Sequence, residues 1–477
     1  MREPARGSAQ PAARPAAPSA ARAHQARQAG ILDPSGELRS VVDDCVHCGF
    51  CLPACPTYQL WGEEMDSPRG RIHLISQMLD GAQVTEAAAS HLDRCLGCMA
   101  CVPACPSGVR YDRLIEAART WTEEPPAGAL PGPARSLRER AVRAAIFATF
   151  PYPRRLRLLA GPLRLAQRAG LDRWLRESRT VRKVAPELAA ALRVAPPRAR
   201  DAAPPEHIPA QWPRRAVVGM LTGCVQQVFF PSVNAATARV LAAEGCDVVI
   251  PPGQGCCGAL SLHTGRAAEA ARFAKRAIAA FEDARVDVIV VNSAGCGSAM
   301  KEYAQLLKDD REDGQDWPRR AARAAAKVRD LSEFLAELAD GSGGQMAVRH
   351  PLPVKAVYHE ACHLGHAQGI RRQPRELLRA IPGLELAEVS DGGTCCGSAG
   401  VYNLLQPEAA GELGERKAAA IRDTGASLVI SANPGCSLQI ASALGEPAGA
   451  AVPAVAHIAE VLDASFRGLT VEELTGG

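Results

Sequence analysis

No stretch of this chain approaches the roughly eighteen uninterrupted apolar residues that a membrane-spanning helix needs, so any membrane contact must be peripheral. Nor does an apolar run near Met1 have the length of a secretory signal, which leads us to expect a reducing compartment, the cytoplasm. No G-x-G-x-x-G opens a helix after a strand, and the cluster Gly341-Ser-Gly-Gly344 sits in a polar loop. That excludes the dinucleotide fingerprint of a flavin or nicotinamide site. The formal net charge is only +4, too small to make nucleic acid the main partner. From Met1 to about Gly30 there is almost no large apolar side chain, so residues 1–32 cannot build a core and are expected to form a disordered tail.

Cysteine, by contrast, is abundant: 17 in 477 residues, enough chain for two or three domains. In a reducing compartment these are metal ligands before they are disulfides. Eight of them form two runs, Cys45-Val-His-Cys48-Gly-Phe-Cys51-Leu-Pro-Ala-Cys55-Pro56 and Cys95-Leu-Gly-Cys98-Met-Ala-Cys101-Val-Pro-Ala-Cys105-Pro106. Each is C-x-x-C-x-x-C-x-x-x-C-P, the spacing of two-cluster bacterial ferredoxins, in which the fourth cysteine ligates the other cluster. The expected ligand sets for two [4Fe-4S] clusters are therefore Cys45, Cys48, Cys51 and Cys105, and Cys95, Cys98, Cys101 and Cys55. Paired C-x-x-C units also build structural zinc sites. Zinc would have no use for the third cysteine at this spacing or for the proline after the fourth.

This ferredoxin-type part spans about 33–124. Between the runs, Ser67-Pro68-Arg69-Gly70-Arg71-Ile72 reads as an N-cap, a proline at the first helical position and a helix with Ile72, Ile75 and Leu79 on one face. A helix rather than a tight hairpin suggests the helical ferredoxin type of respiratory complexes. Arg69 and Arg71 either face a cluster's negative charge or a partner, or stand in a solvated first turn. Residues 125–213 are rich in Arg, Leu and Pro and read as a basic helical linker. Leu156, Leu159 and Leu163 keep helical spacing beside several arginines, a pattern suited to an anionic membrane, a partner subunit or a neighbouring domain. Gly161 and Pro162 are expected to interrupt that helix.

After Arg214 the texture becomes α/β. Ala216–Leu221, Asp247–Ile250 and Val286–Val291 read as buried strands, with helices at about Ser232 to Glu244 and Arg266 to Glu282. The region is an internal repeat, 214–340 and 341–477. Cys224, Cys256-Cys257-Gly258 and Cys296 are matched by Cys362, Cys395-Cys396-Gly397 and Cys436 at offsets of 138, 139, 139 and 140 residues. Two adjacent thiols must converge while the backbone passes close by, which the following glycine permits. Cys246 lies outside both patterns and reads as a buried apolar residue. His359 and His363, which flank Cys362, as well as His366 and His263, are candidates for hydrogen bonds to a cluster or for proton relay, or are plain structural histidines.

The repeat resembles the cysteine-rich CCG domain of heterodisulfide reductases, lactate-utilisation proteins and glycolate oxidase iron-sulfur subunits. One feature departs from it: where members with an unusual cluster carry a final C-x-x-C, Cys296 is followed by Gly297-Ser-Ala299 and Cys436 by Ser437-Leu-Gln439. Each repeat is one thiolate short, so its four cysteines are candidates for a further iron-sulfur cluster, for disulfides, or for a lapsed site.

The whole order of ferredoxin pair, linker and two CCG repeats resembles the glycolate oxidase iron-sulfur subunit family, with Asp66-Ser-Pro-Arg-Gly-Arg-Ile-His-Leu74 favouring that type. It resembles more loosely the CCG-bearing subunits of anaerobic glycerol-3-phosphate dehydrogenase and of heterodisulfide reductase. Removing hydride from a hydroxy acid is flavin work. The resemblance implies an FAD-bearing partner subunit oxidising glycolate or a related 2-hydroxy acid, with electrons leaving through this chain to a quinone or another acceptor. The alternative it implies is a heterodisulfide-reductase-like or glycerol-3-phosphate dehydrogenase-type subunit with catalytic CCG clusters.

Overall fold

A computed structural model of the chain describes residues 28–477 apart from 29, 172–173, 176–177, 196–202, 212, 342–345, 391–392, 446–451 and 477. The expected tail, 1–32, lies almost wholly outside the described residues, as does the polar loop after Gly341. At the end of that tail, Leu32 packs against the N-terminal core.

The N-terminal part holds the helices Glu37–Asp43, Pro56–Trp61, Pro68–Leu79, Glu86–Asp93 and Tyr111–Glu123, with no strand among its described residues. Pro68–Leu79 starts as its sequence dictates: the Ser67 side chain accepts a hydrogen bond from the Gly70 amide and Pro68 sits in the first turn. Ile72, Ile75 and Leu79 are buried on one face. Tyr111–Glu123 buries Tyr111, Leu114, Ile115, Ala118 and Trp121, the stripe of an amphipathic helix, against that face. Each large aliphatic side chain buried there contributes about 1.5–3 kcal/mol.

The linker forms the helices Leu137–Thr149, Pro153–Arg168, Arg179–Val184 and Pro186–Arg193. Gly161 and Pro162, expected to interrupt the second, lie inside one continuous helix. Both are exposed, so the carbonyl that Pro162 leaves without an amide partner can be hydrated. Linker arginines meet acidic residues of the N-terminal part: Arg135 contacts Asp93 at 2.7 Å and Glu123 at 3.1 Å. The last linker residues also contribute β1 (His207–Ile208), an edge strand antiparallel to β3.

The first repeat is a sheet of β2 (Ala216–Met220), β3 (Cys246–Val249), β4 (Val288–Val291) and β5 (Val328–Asp330), in the order β1-β3-β2-β4-β5. The second has β6 (Val354–His359), β7 (Leu384–Ala387), β8 (Leu428–Ser431) and β9 (Ala454–His457), in the order β7-β6-β8-β9. Apart from β1 every pairing is parallel, and the two orders are the same. Cys246 opens β3 and is wholly buried.

The repeats share one hydrophobic core drawn from both sheets. Helix Pro231–Ala243, the first long helix of repeat one, packs on Ile458–Arg467, the helix that follows the last strand of repeat two. Arg239 is fixed there by a 2.6 Å ion pair to buried Asp463. Reciprocally, Leu331–Gly341, which follows the last strand of repeat one, packs on Arg372–Arg379, the first α-helix of repeat two.

Candidate iron-sulfur and cysteine-rich sites

In both cysteine runs the backbone alternates hand. His47 and Gly49 have φ of 53° and 87°, and the equivalent Gly97 and Met99 have φ of 63° and 59°. Alternating right- and left-handed residues turn successive amides to one side and make a concavity that binds anions, the device found at many iron-sulfur sites. Non-glycine residues held at positive φ, as His47 and Met99 are, store strain that the surroundings must hold. Cys45, Cys48, Cys51 and Cys105 border one small cavity, which Cys101 also reaches. Cys55, Cys95, Cys98 and Cys101 border a second.

Donors point at the sulfurs of the second set. Cys95 Sγ accepts from the Gly97 amide at 3.4 Å and from the Tyr111 hydroxyl at 3.5 Å. Its thiol is raised by burial, but Arg71 and Arg119 outweigh this and bring it below the ordinary range. Arg71 is therefore no solvated first-turn residue. It is fully buried beside Cys95 and Cys55, donates to Thr57 Oγ1 and the His91 carbonyl, and pairs with buried Asp66 at 3.3 Å. Arg69 clasps Glu64 at 2.6 Å and reaches the His47 carbonyl. A thiolate-lined nest with buried positive charge beside it suits a polyanionic iron-sulfur cluster, so the residues fit the group.

In each repeat the cysteines gather at the carboxyl ends of the strands. Cys224 follows β2, Cys256-Cys257 follow β3 and Cys296 follows β4; Cys362, Cys395-Cys396 and Cys436 take the same places after β6, β7 and β8. Strand order reverses between β2 and β4, and between β6 and β8, which opens a crevice where ligands bind in such sheets. Gly258 and Gly397 both have φ of 86°, and a Cβ on them would lie 2.9 and 2.7 Å from the carbonyl oxygens of Ala270 and Ala410. Only glycine lets the adjacent thiols turn inward there. Hydrogen bonds from Cys256 and Cys296 hold the Cys257 thiol well below its ordinary range. No two cysteines are joined in a disulfide.

All the repeat cysteines of the two sets except Cys396 border one cavity of about 500 Å³, which Cys95 of the N-terminal part also borders. Cys98 packs with Cys362 and Cys395 in one buried cluster. The linker leucines Leu156, Leu159 and Leu163 line the cavity from the other side. The N-terminal part is clamped to repeat one: Arg119 donates to the carbonyls of Cys95, Leu92 (3.1 Å) and His263 (2.7 Å), and Glu116 meets His263 Nδ1 at 3.0 Å. The His263 ring stacks near His363 with centroids 5.0 Å apart, and His363 Nδ1 lies 3.6 Å from Cys362 Sγ. Burial pushes His363 down to about 3, so it stays neutral. His366 faces away, held by the Gly393 carbonyl and Arg371. Arg119 and Glu116 escape a reading of the sequence, because nothing local marks two polar residues of an amphipathic helix as an interdomain clamp.

Comparison with known proteins agrees along the chain. The profile of the 4Fe-4S dicluster domain matches residues 41–109, that of the glycolate oxidase iron-sulfur subunit linker region 138–195, and that of the cysteine-rich domain 218–301 and 356–441. The probable glycolate oxidase iron-sulfur subunit of Bacillus subtilis is 38% identical over 88% of this chain and 93% of its own length. The Escherichia coli glycolate oxidase iron-sulfur subunit is 35% identical over 85% and 91%. A lactate utilization protein A from Shouchella clausii is 34% identical, matching 52% of this chain and 98% of its own length. Ferredoxin runs, linker and both cysteine-rich repeats are thus shared end to end, and the chain belongs to the glycolate oxidase iron-sulfur subunit family.

Proposed function

We propose that this chain is the iron-sulfur electron-transfer subunit of a flavin-dependent 2-hydroxy acid oxidase, with glycolate as the substrate and FAD on a partner subunit. Cys45, Cys48, Cys51 and Cys105 hold one [4Fe-4S] cluster, and Cys95, Cys98, Cys101 and Cys55 hold the other, in a domain of the helical ferredoxin type over 33–124. Clusters bound there supply one-electron carriage between the flavin and an acceptor. The repeats at 214–340 and 341–477 add a further metal site among their eight cysteines. The observation that carries this reading is the packing of Cys98 against Cys362 and Cys395, beside a cavity that both repeats share. It supports an unbroken route from the ferredoxin-type part into the repeats.

A quinone is the acceptor that the far side of the cavity favours. Its leucine wall belongs to the helix Pro153–Arg168, which turns Leu158 and Leu165 outward at 76% and 64% exposure beside exposed Arg154, Arg155, Arg157 and Arg164. Exposed leucines flanked by arginines suit peripheral contact with an anionic lipid surface. No helix among the described residues is long and apolar enough to cross a membrane. The cytoplasmic face of the inner membrane is where such a chain would work.

The test is Cys98→Ser in the complex co-purified with its flavin subunit. Glycolate still reduces the flavin, while turnover with a soluble quinone analogue falls to background. Undiminished quinone turnover would sink the proposal.

A further inference from the structure

Among the buried positions at which the two repeats differ, one lies beside the second cysteine set. His359 closes β6, and the offset that aligns Cys362 with Cys224 sets it against Leu221 of repeat one. It is 1% exposed, and among the described residues neither ring nitrogen has a hydrogen-bond partner. Buried polar groups in native proteins are nearly always satisfied, so an imidazole orphaned on both sides calls for a missing ligand. A ring nitrogen of His359, Cys396 Sγ and Cys436 Sγ all lie within 4.8 Å of one another. Ligands on one tetrahedral metal stand about 3.6–3.8 Å apart, at metal–nitrogen and metal–sulfur lengths of about 2.0–2.1 and 2.3 Å. Small side-chain rotations close that difference.

We propose that His359 is a metal ligand, closing with Cys396 and Cys436 an imidazole–thiolate centre in the second repeat that the first repeat, with Leu221, does not have. The inference rests on the reading above that the repeats hold metal. Its surroundings are built for one. Asn433 Nδ2 donates to Cys436 Sγ at 3.4 Å, orienting the thiolate as outer-shell partners do. Cys395 touches Cys396 through sulfur and is placed to supply a further thiolate. Lys417, 2% exposed, lies near His359. Gln439, at the position a C-x-x-C pair would fill, is engaged with Asn403 and the Ala410 carbonyl and leaves the centre to His359. Two thiolates and an imidazole suit an iron of a cluster and a zinc ion alike.

The experiment uses the complex purified without oxygen, its histidines labelled with 15N in the ring. Metal analysis is expected to give more than about eight irons per chain, or one zinc beside eight irons, eight being the content of two cubanes. Pulsed EPR of the reduced protein then shows imidazole nitrogen coupled to iron; in the zinc case, zinc X-ray absorption shows imidazole scattering. His359→Leu, which copies repeat one, loses that signal and releases the extra metal to a chelator at least about tenfold faster. His359→Cys retains the metal without the imidazole signal, and decides the matter should the Leu variant fail to fold. An unchanged imidazole signal in the Cys variant overturns the assignment of His359 while leaving metal in the repeats. Eight irons and no zinc in the unaltered protein overturn the reading beneath it.

Discussion

Gly265 is where the first repeat meets the backbone of the N-terminal part, and replacing it tests whether the two are docked as one unit. A Cβ there would lie 2.5 Å from the Arg119 carbonyl carbon, 3.0 Å from the Thr120 amide nitrogen, and closer still to the Arg119 carbonyl oxygen. All three atoms are backbone of the helix Tyr111–Glu123, so no side chain can swing aside. Ordinary carbon contacts are about 3.5–4.0 Å, and the helix must retreat by about 1 Å. Gly265 also has φ of 85°, which adds about 1–2 kcal/mol for any L side chain. Overpacking adds about 1–3 kcal/mol, so Gly265→Ala should cost about 2–5 kcal/mol. Gly253 supplies the control, because its φ is 83° and a Cβ on it meets nothing within 4 Å. Gly253→Ala carries the backbone strain alone, and the difference between the two variants isolates the clash. Thermal melts without oxygen, followed by circular dichroism, should separate them by about 1 °C per kcal/mol, as an unfolding entropy of about 2.1 cal/mol/K per residue gives for a docked unit of about 450 residues. Limited proteolysis should show the N-terminal part released first in Gly265→Ala. Equal melting temperatures for the two variants would refute the docking argument.

Two further outcomes follow from buried charge. Arg71→Met leaves Asp66 with only His91 and Arg94, and should destabilise the N-terminal part by about 3–5 kcal/mol and speed iron loss; a shift in denaturation midpoint equivalent to less than about 1 kcal/mol, the worth of a single hydrogen bond, would show that the pair is dispensable. Asp330 is wholly buried, and desolvation pushes its carboxyl from 3.8 up to about 6. The folded state therefore keeps a proton that the unfolded chain releases above about pH 4. The stability it gives is full below that pH and is lost as pH rises through about 6, in all about 3 kcal/mol. Urea midpoints measured between pH 4 and 7 should show that fall in the parent and a flatter profile in Asp330→Asn; parallel profiles would contradict it.

The grouping of the cysteines was more legible in the sequence than the architecture around it. Cysteine spacing is short-range information: a loop that must wrap metal fixes its ligands within a dozen residues, and the repeat offsets survive because both modules fold alike. The three strands read in the first repeat lie within two residues of β2, β3 and β4, since buried parallel strands are unbroken runs of β-branched residues. What long-range packing decides was hidden. Pro162 reads as a helix breaker until solvent is seen beside it. Arg71 reads equally well as a surface charge until Asp66 and Thr57 close around it. β1 is two residues long and exists only because β3 offers it an edge. His359 had a usable signal, since the offset of the repeat sets it against Leu221, but a lone histidine beside a cysteine motif carries no geometry until the strands are paired.

The reciprocal packing of helices between the repeats gives the tandem the geometry of an isologous dimer, with both protomers written into one polypeptide. Neither half can be cut away without baring the face that its twin covers, so a lone module would be driven to pair with another copy of itself. Covalent union also removes a constraint that true dimers obey. Identical protomers must carry identical pockets, whereas two halves of a single gene can drift apart residue by residue. The chain has used that freedom at Leu221 and His359, turning a two-fold axis into a direction.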